Sequence, residues 1–149
     1  MKPSDIPEVV EKLREANRAF KVPIVTEVAL QRRSPFAVLI ATLISLRTKD
    51  EVTRQASLRL LALAASPEEM IKLPLATIEK AIYPAGFYRT KAIRIHDLCE
   101  MLLMRFDGKV PNTLEALLQI KGVGRKTANL VLTQGFGKLG ICVDVHVHR

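Results

Sequence analysis

Apolar residues recur at spacings of three and four along most of the chain, which is the period of an amphipathic α-helix. The first such stretch runs from about Ser4 to Phe20. The next begins at Ser34-Pro35, because Ser caps free amides and Pro fits the first helical turn. Its body, from Phe36 to Leu46, is apolar on every side, which predicts a buried central helix. Similar patterns predict helices at about 50–64, 66–73, 76–82, 88–106 and 112–118.

These elements predict an all-α fold. The breaks between helices carry capping residues rather than hairpin turns, and the segment 140–143, which alone has an extended pattern, is too short for a sheet. The chain has no internal repeat and no linker of disordered composition. Its 149 residues, 48% of them hydrophobic, suffice to bury a core, which excludes intrinsic disorder.

The charge balance points to an anionic partner. The chain carries 23 Lys and Arg against 15 Asp and Glu, a formal net charge of +8. Nucleic acid is the first interpretation, an acidic membrane surface the second and an uninformative solvated surface the third. No apolar run approaches the roughly 20 residues that span a bilayer, and the N-terminus does not have a signal-peptide pattern. Together with the spacing of Cys99 and Cys142, which predicts reduced thiols, these features lead us to expect a cytoplasmic protein without a membrane partner.

Residues 117–130 (LLQIKGVGRKTANL) have the pattern of two helices joined by a glycine turn. Glycine permits the tight backbone reversal and leaves room for close approach. The amides of the turn and of the next helix would form an anion site that grips one backbone phosphate without reading sequence. This is typical of a helix-hairpin-helix over about 113–133, although a tight turn without a ligand has a similar sequence. Its candidate DNA-binding residues are Lys121, Gly122, Val123, Gly124, Arg125 and Thr127.

The end of the chain, residues 143–149, completes a wider pattern, because Val-Asp-x-His-x-x-Arg follows the hairpin and a helix. Further landmarks are Ser-Pro-Phe at 34–36, Thr-Lys-Asp at 48–50, Gly-Phe-Tyr-Arg-Thr-Lys-Ala at 86–92 and Gly-Lys-Val-Pro at 108–111. With these motifs the chain resembles the endonuclease III family of base-excision DNA glycosylases over most of its length.

The resemblance implies a helical DNA-glycosylase fold and a domain division. A six-helix lobe containing the hairpin would span 22–137. Residues 1–21 and 138–149 would be the N-terminal helix and the beginning of an incomplete second domain. The chain stops where a helix begins, which we interpret as truncation, with an unusual natural protein as the alternative. A monomer is expected, with self-association through the uncovered apolar face of the first helix as the alternative.

By the same resemblance, Lys126 is the nucleophile and Asp144 the essential carboxylate. A neutral amine attacks the anomeric carbon, expels the base and holds the sugar as a Schiff base, after which the 3′ phosphate is lost by β-elimination. Because a lysine in water near pH ~7 is protonated, the helix N-terminus, Arg125 and partial burial are expected to favour loss of that proton. Asp144 would stabilise the positive charge developing on the sugar, and it could also cap the helix that starts at Val145.

The implied partner is double-stranded DNA containing damaged bases or abasic sites, and the target nucleotide must be flipped out of the stack. Residues 43–50 match the family region that fills the resulting gap. Arg47 stands where the family commonly has Gln, which leaves the opposite-base preference and lesion range open. A surface arginine without this role is the alternative. Ser45 and Lys49 are the other DNA-binding candidates of this segment.

Other polar residues have more ordinary interpretations. Asp50 is expected first to cap the helix that follows it, and it is a site residue only by the resemblance. Lys91, together with Arg89 and Arg94, either lines the DNA face or is solvated. No metal site is expected at His146 and His148, because their spacing splits them onto different faces of a helix. Family members often hold a [4Fe-4S] cluster on four closely spaced cysteines near the C-terminus, and none of those cysteines is present here. No cofactor is therefore expected in this chain, and a cluster is possible in a full-length parent.

Three functions remain open from the sequence. The leading hypothesis is a DNA glycosylase with apurinic/apyrimidinic lyase activity on damaged pyrimidines. A mismatch-specific thymine or uracil DNA glycosylase is the enzymatic alternative, which the Arg47 departure keeps open. A non-enzymatic helix-hairpin-helix module that only binds the DNA backbone is the third. The presence of both Lys126 and Asp144 favours the two enzymes.

Overall fold

The computed structural model describes residues 3–20, 22–32 and 34–143, and these residues form helices without a strand. The all-α prediction is therefore confirmed. A 3₁₀ turn precedes the first helix and a π-helical turn, Val131–Gly135, follows the last one. The helices are α1 (Ile6–Arg18), α2 (Ile24–Arg32), α3 (Pro35–Ser45), α4 (Asp50–Leu63), α5 (Pro67–Met70), α6 (Leu75–Ile82), α7 (Tyr88–Phe106), α8 (Leu114–Leu118) and α9 (Arg125–Leu130).

Helix α3 lies at the centre of the fold, as its all-apolar pattern predicts. All residues from 36 to 44 are buried. The hydroxyl of Ser34 accepts a hydrogen bond from the Ala37 amide at 3.4 Å, and Pro35 occupies the first helical position. Because α2, α4, α7, α9 and the π-helical turn all contact α3, the burial of this helix organises the rest of the core.

Helix α2 was not predicted from the sequence. Its segment carries β-branched Ile24, Val25, Thr26 and Val28 and has little amphipathic pattern. Packing against α3 buries Ile24, Val25 and Val28. Tertiary burial therefore overrides a weak local preference.

The start of α4 differs from the prediction. Lys49, with extended backbone angles, is the N-cap residue and makes no side-chain cap, so Asp50 is the first helical residue. The prediction that Asp50 caps this helix is wrong by one position. Its carboxylate lies instead in the first turn, where the helix dipole favours negative charge. A half-buried ion pair between Arg54 and Glu27 joins α4 to α2.

Helix α7 has the predicted bounds. It ends at left-handed Asp107 (φ 54°) and Gly108 (φ 70°), and the Gly108 amide donates to the Leu102 carbonyl at 2.9 Å. Glycine is favoured there because positive φ is costly for other residues. After the π-helical turn, residues 137–143 have no regular secondary structure.

Helix α1 presents its apolar face to solvent. Each residue in 3–20 is exposed, including Val9, Val10, Leu13 and Phe20. The predicted uncovered face is therefore present in this chain. None of the described helices is long and apolar enough to cross a membrane.

Replacing Ser57 tests the packing of α4. Its side chain is fully buried and its hydroxyl has no hydrogen-bond partner among the described residues. Ser57→Ala should leave the free energy of unfolding unchanged or raise it by about 1 kcal/mol, because an unsatisfied polar group is removed. Leu60→Ala, also fully buried in α4, should lower it by about 2–5 kcal/mol through cavity formation. Denaturant unfolding measures both, and a clear loss of stability in Ser57→Ala would contradict the first expectation.

The two cysteines should differ in reactivity. Burial, and secondarily the charge of Glu68, raise the pKa of the Cys99 thiol to about 12, whereas Cys142 is half-buried. Iodoacetamide at about pH 8 should therefore modify Cys142 first and Cys99 only after unfolding, as seen by mass spectrometry. Because the unfolded chain ionises this thiol from about pH 9, the stability contribution of the neutral Cys99 should fall as pH rises from 9 towards 12. Equal labelling rates in the folded protein, or the same alkaline slope in Cys99→Ala, would contradict these expectations.

Candidate functional site

The first helix of the predicted hairpin is α8. The hydroxyl of Thr113 accepts a hydrogen bond from the Ala116 amide at 3.3 Å, so Thr113 caps this helix. Leu117 is fully buried and fixes α8 on the core. The helix then ends, and the Ile120 amide donates to the Leu117 carbonyl at 3.1 Å.

Buried side chains anchor the turn of the hairpin on its inner side, and its outer side is open. The Val123 amide donates to the Ile120 carbonyl at 3.0 Å, and the side chains of Ile120 and Val123 are buried. Gly122 has φ +88°, and a Cβ at Gly122 or Gly124 would meet no atom within 4 Å. The turn is thus anchored through its apolar residues, and its glycines leave the outer side open to a ligand.

Helix α9 begins directly after the turn. Gly124 is its N-cap and supplies no side-chain cap, and the Ala128 amide donates to the Gly124 carbonyl at 2.9 Å. Thr127 and Ala128 face the core, whereas Lys121 and Arg125 are exposed. The buried side chains of Val123 and Thr127 cannot face a phosphate. Among the predicted DNA-binding residues, these two could therefore contribute only through their backbone.

Lys126, the predicted nucleophile, is exposed on the first turn of α9. The expected partial burial is therefore wrong. The reason is the helical period, since Thr127 and Ala128 occupy the core-facing positions and leave Lys126 towards solvent.

The segment after the π-helical turn returns to α9. The Cys142 thiol lies 3.6 Å from the Lys126 carbonyl oxygen, and Gly140 lies beside Thr133 and Asn129. Asp144, the predicted carboxylate, lies outside the described residues, as do Val145, His146 and His148. Its pairing with Lys126 therefore stays a prediction.

The turn between α3 and α4 holds the other predicted DNA-binding residues. Ser45 is half-buried, and its hydroxyl donates to the Thr42 carbonyl at 2.7 Å. Arg47 and Lys49 are exposed. Arg47 has a left-handed backbone with φ 52°, and its guanidinium lies 5.7 Å from the centre of the Phe87 ring.

Lys91 has a position that the sequence interpretation missed. It is neither solvated nor on an outer face: its side chain is buried, and the ammonium donates to the Ile44 carbonyl at 2.7 Å, the Leu46 carbonyl at 2.6 Å and the Thr48 hydroxyl at 2.7 Å. The sequence contains a signal for this burial, because Lys91 shares the helical period of the buried α7 residues Ile95, Leu98 and Leu102. Arg89 and Arg94, by contrast, are exposed.

A groove of about 690 Å³ borders the hairpin. Ile93, Met101 and Met104 of α7 line it together with Lys121 and Gly122 of the hairpin turn. Lys126 does not line this groove, so the cavity and the predicted nucleophile are separate features.

The residues of this chain do not fit an iron–sulfur cluster. A [4Fe-4S] cluster needs four thiolate ligands, and the chain has two cysteines. Cys99 is buried on α7, and the described part of the chain brings no three His, Cys, Asp or Glu side chains together as a metal site.

The chain matches a known protein family. The family described as HhH-GPD superfamily base excision DNA repair protein matches residues 40–149, most of the chain. The chain belongs to this superfamily. Within it, endonuclease III of Thermotoga maritima is 46% identical over 115 residues, which cover 77% of this chain and 54% of that protein. The HhH-GPD chain thus spans about half the length of this relative.

Solved structures agree with this relationship. The chain matches endonuclease III in a trapped covalent DNA intermediate, described as an estranged-adenine complex, with a TM-score of 0.80 and 32% identity over 98% of this chain and 66% of that one. A thermostable thymine-DNA glycosylase matches with a TM-score of 0.72 and 27% identity over 75% of this HhH-GPD chain and 52% of that one. The sequence resemblance to the endonuclease III family is therefore confirmed.

The two hairpin glycines should respond differently to alanine. Gly122→Ala should lower the free energy of unfolding by about 1 kcal/mol, because its φ of +88° disfavours a side chain. Gly124→Ala should leave stability nearly unchanged, because Gly124 has φ −91° and open space around it. Thermal unfolding of both variants measures the difference, and equal losses of stability would contradict the described turn.

Proposed function

We propose that this protein is a base-excision DNA N-glycosylase with apurinic/apyrimidinic lyase activity on damaged pyrimidines in duplex DNA. The observation that carries the proposal is the exposed Lys126 on the first turn of α9, directly after the open Gly122–Gly124 turn, in an HhH-GPD chain. The proposed nucleophile then lies next to the glycine turn that would bind the DNA backbone, both in sequence and in structure. Such a protein would act where DNA lies, in the cytoplasm, and it would be associated with the nucleoid if its source is a prokaryote.

The hairpin supports binding of a DNA backbone. Amides in the first turn of α9 have no carbonyl partner within their own helix, and the uncapped Gly124 leaves them accessible. The exposed Lys121 and Arg125 add positive charge beside them. One phosphate held here would place a neighbouring sugar near Lys126 without any reading of the bases.

The chemistry follows from the amine. The neutral Lys126 nitrogen bonds to C1′ of the damaged nucleoside as the base leaves with the electron pair of the glycosidic bond, and the base takes up a proton. The C1′–O4′ bond then breaks, O4′ takes a proton from the amine, and the opened sugar is held as an imine. Loss of a C2′ proton then expels the 3′ phosphate by β-elimination. Asp144 is proposed to stabilise the positive charge on the sugar. That Lys126 is exposed suits attack on a large substrate, since the amine must reach an extrahelical nucleotide.

A DNA substrate also agrees with the relatives. Endonuclease III has been trapped in a covalent intermediate with DNA, and that protein matches 98% of this chain. We propose the same class of covalent chemistry here. The DNA-binding residues of the proposal are Lys121, Gly122, Gly124 and Arg125 with the backbone of Val123 and Thr127, together with Arg47, Ser45 and Lys49.

A mismatch thymine or uracil glycosylase is the second candidate. Two observations favour it: Arg47 replaces the glutamine common in the endonuclease III family, and a thymine-DNA glycosylase is among the structural neighbours. Arg47 is exposed at a turn, so its guanidinium can reach a base on the opposite strand. Lesion and mismatch panels separate the two enzymes.

Borohydride trapping tests the proposed nucleophile. The 149-residue chain should form a covalent adduct with duplex DNA that contains an abasic site, because hydride reduces the imine to a stable amine. Lys126→Ala should reduce the adduct yield at least about a hundredfold, since the attacking nitrogen is lost. Denaturing electrophoresis measures the adduct.

Lys72→Ala is the matched control, because Lys72 is an exposed lysine outside the hairpin and the Arg47 turn. It should form the adduct like the unchanged chain. Salt-dependent DNA binding without any adduct would instead favour a non-enzymatic binding module. An adduct that persists in Lys126→Ala would overturn the assignment of the nucleophile.

A further inference from the structure

Lys91 carries a positive charge into the protein beneath the turn that presents Arg47. Its side chain is 5% exposed. A buried ammonium is costly unless its hydrogens are donated. Here the three protons have three acceptors within 2.7 Å, namely the Ile44 and Leu46 carbonyls and the Thr48 hydroxyl. Because all three N–H groups of the ammonium are donated, Lys91 makes a specific structural contact and is not a surface lysine that has folded inward.

The acceptors explain what the charge does. Ile44 lies in the last turn of α3, and Leu46 is the C-cap residue that follows Ser45, the last residue of this helix. Carbonyls at a helix C-terminus lack intrahelical donors and carry partial negative charge. Because Lys91 belongs to the first turn of α7, its ammonium joins the start of α7 to the end of α3.

A second contact holds the same turn. The Gly86 amide donates to the Thr48 hydroxyl at 3.1 Å. A Cβ at Gly86 would lie 2.4 Å from the Arg47 carbonyl oxygen, so the two backbones touch and no side chain fits between them. Thr48 therefore accepts from both Lys91 and Gly86 and links the two contacts.

Arg47, between these contacts, is held in an uncommon conformation. Its φ of 52° is left-handed, which costs a non-glycine residue roughly 1–2 kcal/mol. Thr48, the next residue, accepts hydrogen bonds from Lys91 and Gly86, and the exposed Arg47 side chain has its guanidinium 5.7 Å from the centre of the Phe87 ring.

Lys91 itself cannot contact DNA from this buried position. Burial, with a smaller contribution from the charge of Arg94, lowers the pKa of Lys91 to about 8. Below that pH the ammonium form predominates and donates all three hydrogen bonds. Any effect of Lys91 on DNA must therefore pass through the residues that it holds.

We propose that Lys91 is a positioning residue which, with Thr48 and Gly86, fixes the Arg47 turn so that Arg47 reads the base opposite the flipped nucleotide. The inference rests on the proposed function for its DNA substrate. It adds a determinant of opposite-base specificity that makes no contact with DNA.

The test is equilibrium binding of the full 149-residue chain to four duplexes that carry a tetrahydrofuran abasic analogue opposite A, C, G or T. The analogue has no C1′ leaving group, so binding is measured without any catalysis. The unchanged chain should prefer one opposite base over the least favoured by about tenfold, the value of a good arginine contact to a base. Arg47→Ala should abolish this preference.

Lys91→Met and Thr48→Val should reduce the preference to within about twofold of the Arg47→Ala value, because the hydrogen bonds that hold the turn are lost while side-chain volume is kept. Thr48→Ser is the matched control. It retains the hydroxyl and should retain the preference. The double variant Lys91→Met with Arg47→Ala should be no less selective than Arg47→Ala alone, since both changes act through the same side chain.

Several results would overturn the proposal. If Lys91→Met weakens binding by the same factor opposite all four bases, Lys91 has a purely structural role. The same conclusion follows if the affinity losses of the two single variants add in the double variant. If the unchanged chain binds all four duplexes with equal affinity, Arg47 does not discriminate between opposite bases. Thermal unfolding of each variant identifies any that does not fold, and Thr48→Val then carries the test if Lys91→Met fails.

Failure of the proposed enzyme is distinguishable from failure of this inference. If borohydride gives no adduct but the four affinities respond to Lys91 and Thr48 as expected, the protein reads the opposite base without catalysis. If the adduct forms and depends on Lys126 while the affinities ignore Lys91, the positioning role is wrong and the enzyme assignment stands.

Discussion

The burial of α3 is the constraint on which the rest of the structure depends. A helix that is apolar on every side can be satisfied only if other elements surround it, and α2, α4, α7 and α9 do so. Packing against α3 therefore stabilises α2 as a helix, although the sequence of α2 has only a weak preference for this conformation. Helix α9, which carries Lys126, packs against α3, and the turn that carries Arg47 directly follows α3.

The same central helix creates an electrostatic problem at its C-terminus, where its last carbonyls have no partners in the helix. Lys91 supplies those partners from α7 at the cost of burying an ammonium. The contact joins elements that are far apart in sequence and ends beneath an exposed arginine. Core packing and the proposed recognition of DNA are therefore coupled through one buried charge.

Charge is distributed in a way that suits the proposed substrate. From Lys121 onward the chain has five Lys and Arg and one acidic residue, which accounts for +4 of the total +8. In the described part of this segment, Lys121, Arg125 and Lys126 are exposed around the glycine turn. Membership of the HhH-GPD superfamily gives this cluster its context, while the chain spans about half the length of its Thermotoga relative.

Helical periodicity and capping residues were enough to predict α3, α7 and the hairpin, because those signals act within one turn of chain. The sequence by itself also determined the family, through spaced motifs such as the hairpin and the final residues. It did not predict α2, the exposure of Lys126 or the burial of Lys91. Only tertiary structure decided these, since burial depends on which distant surfaces meet: a lysine 43 residues beyond Thr48 completes the turn that presents Arg47.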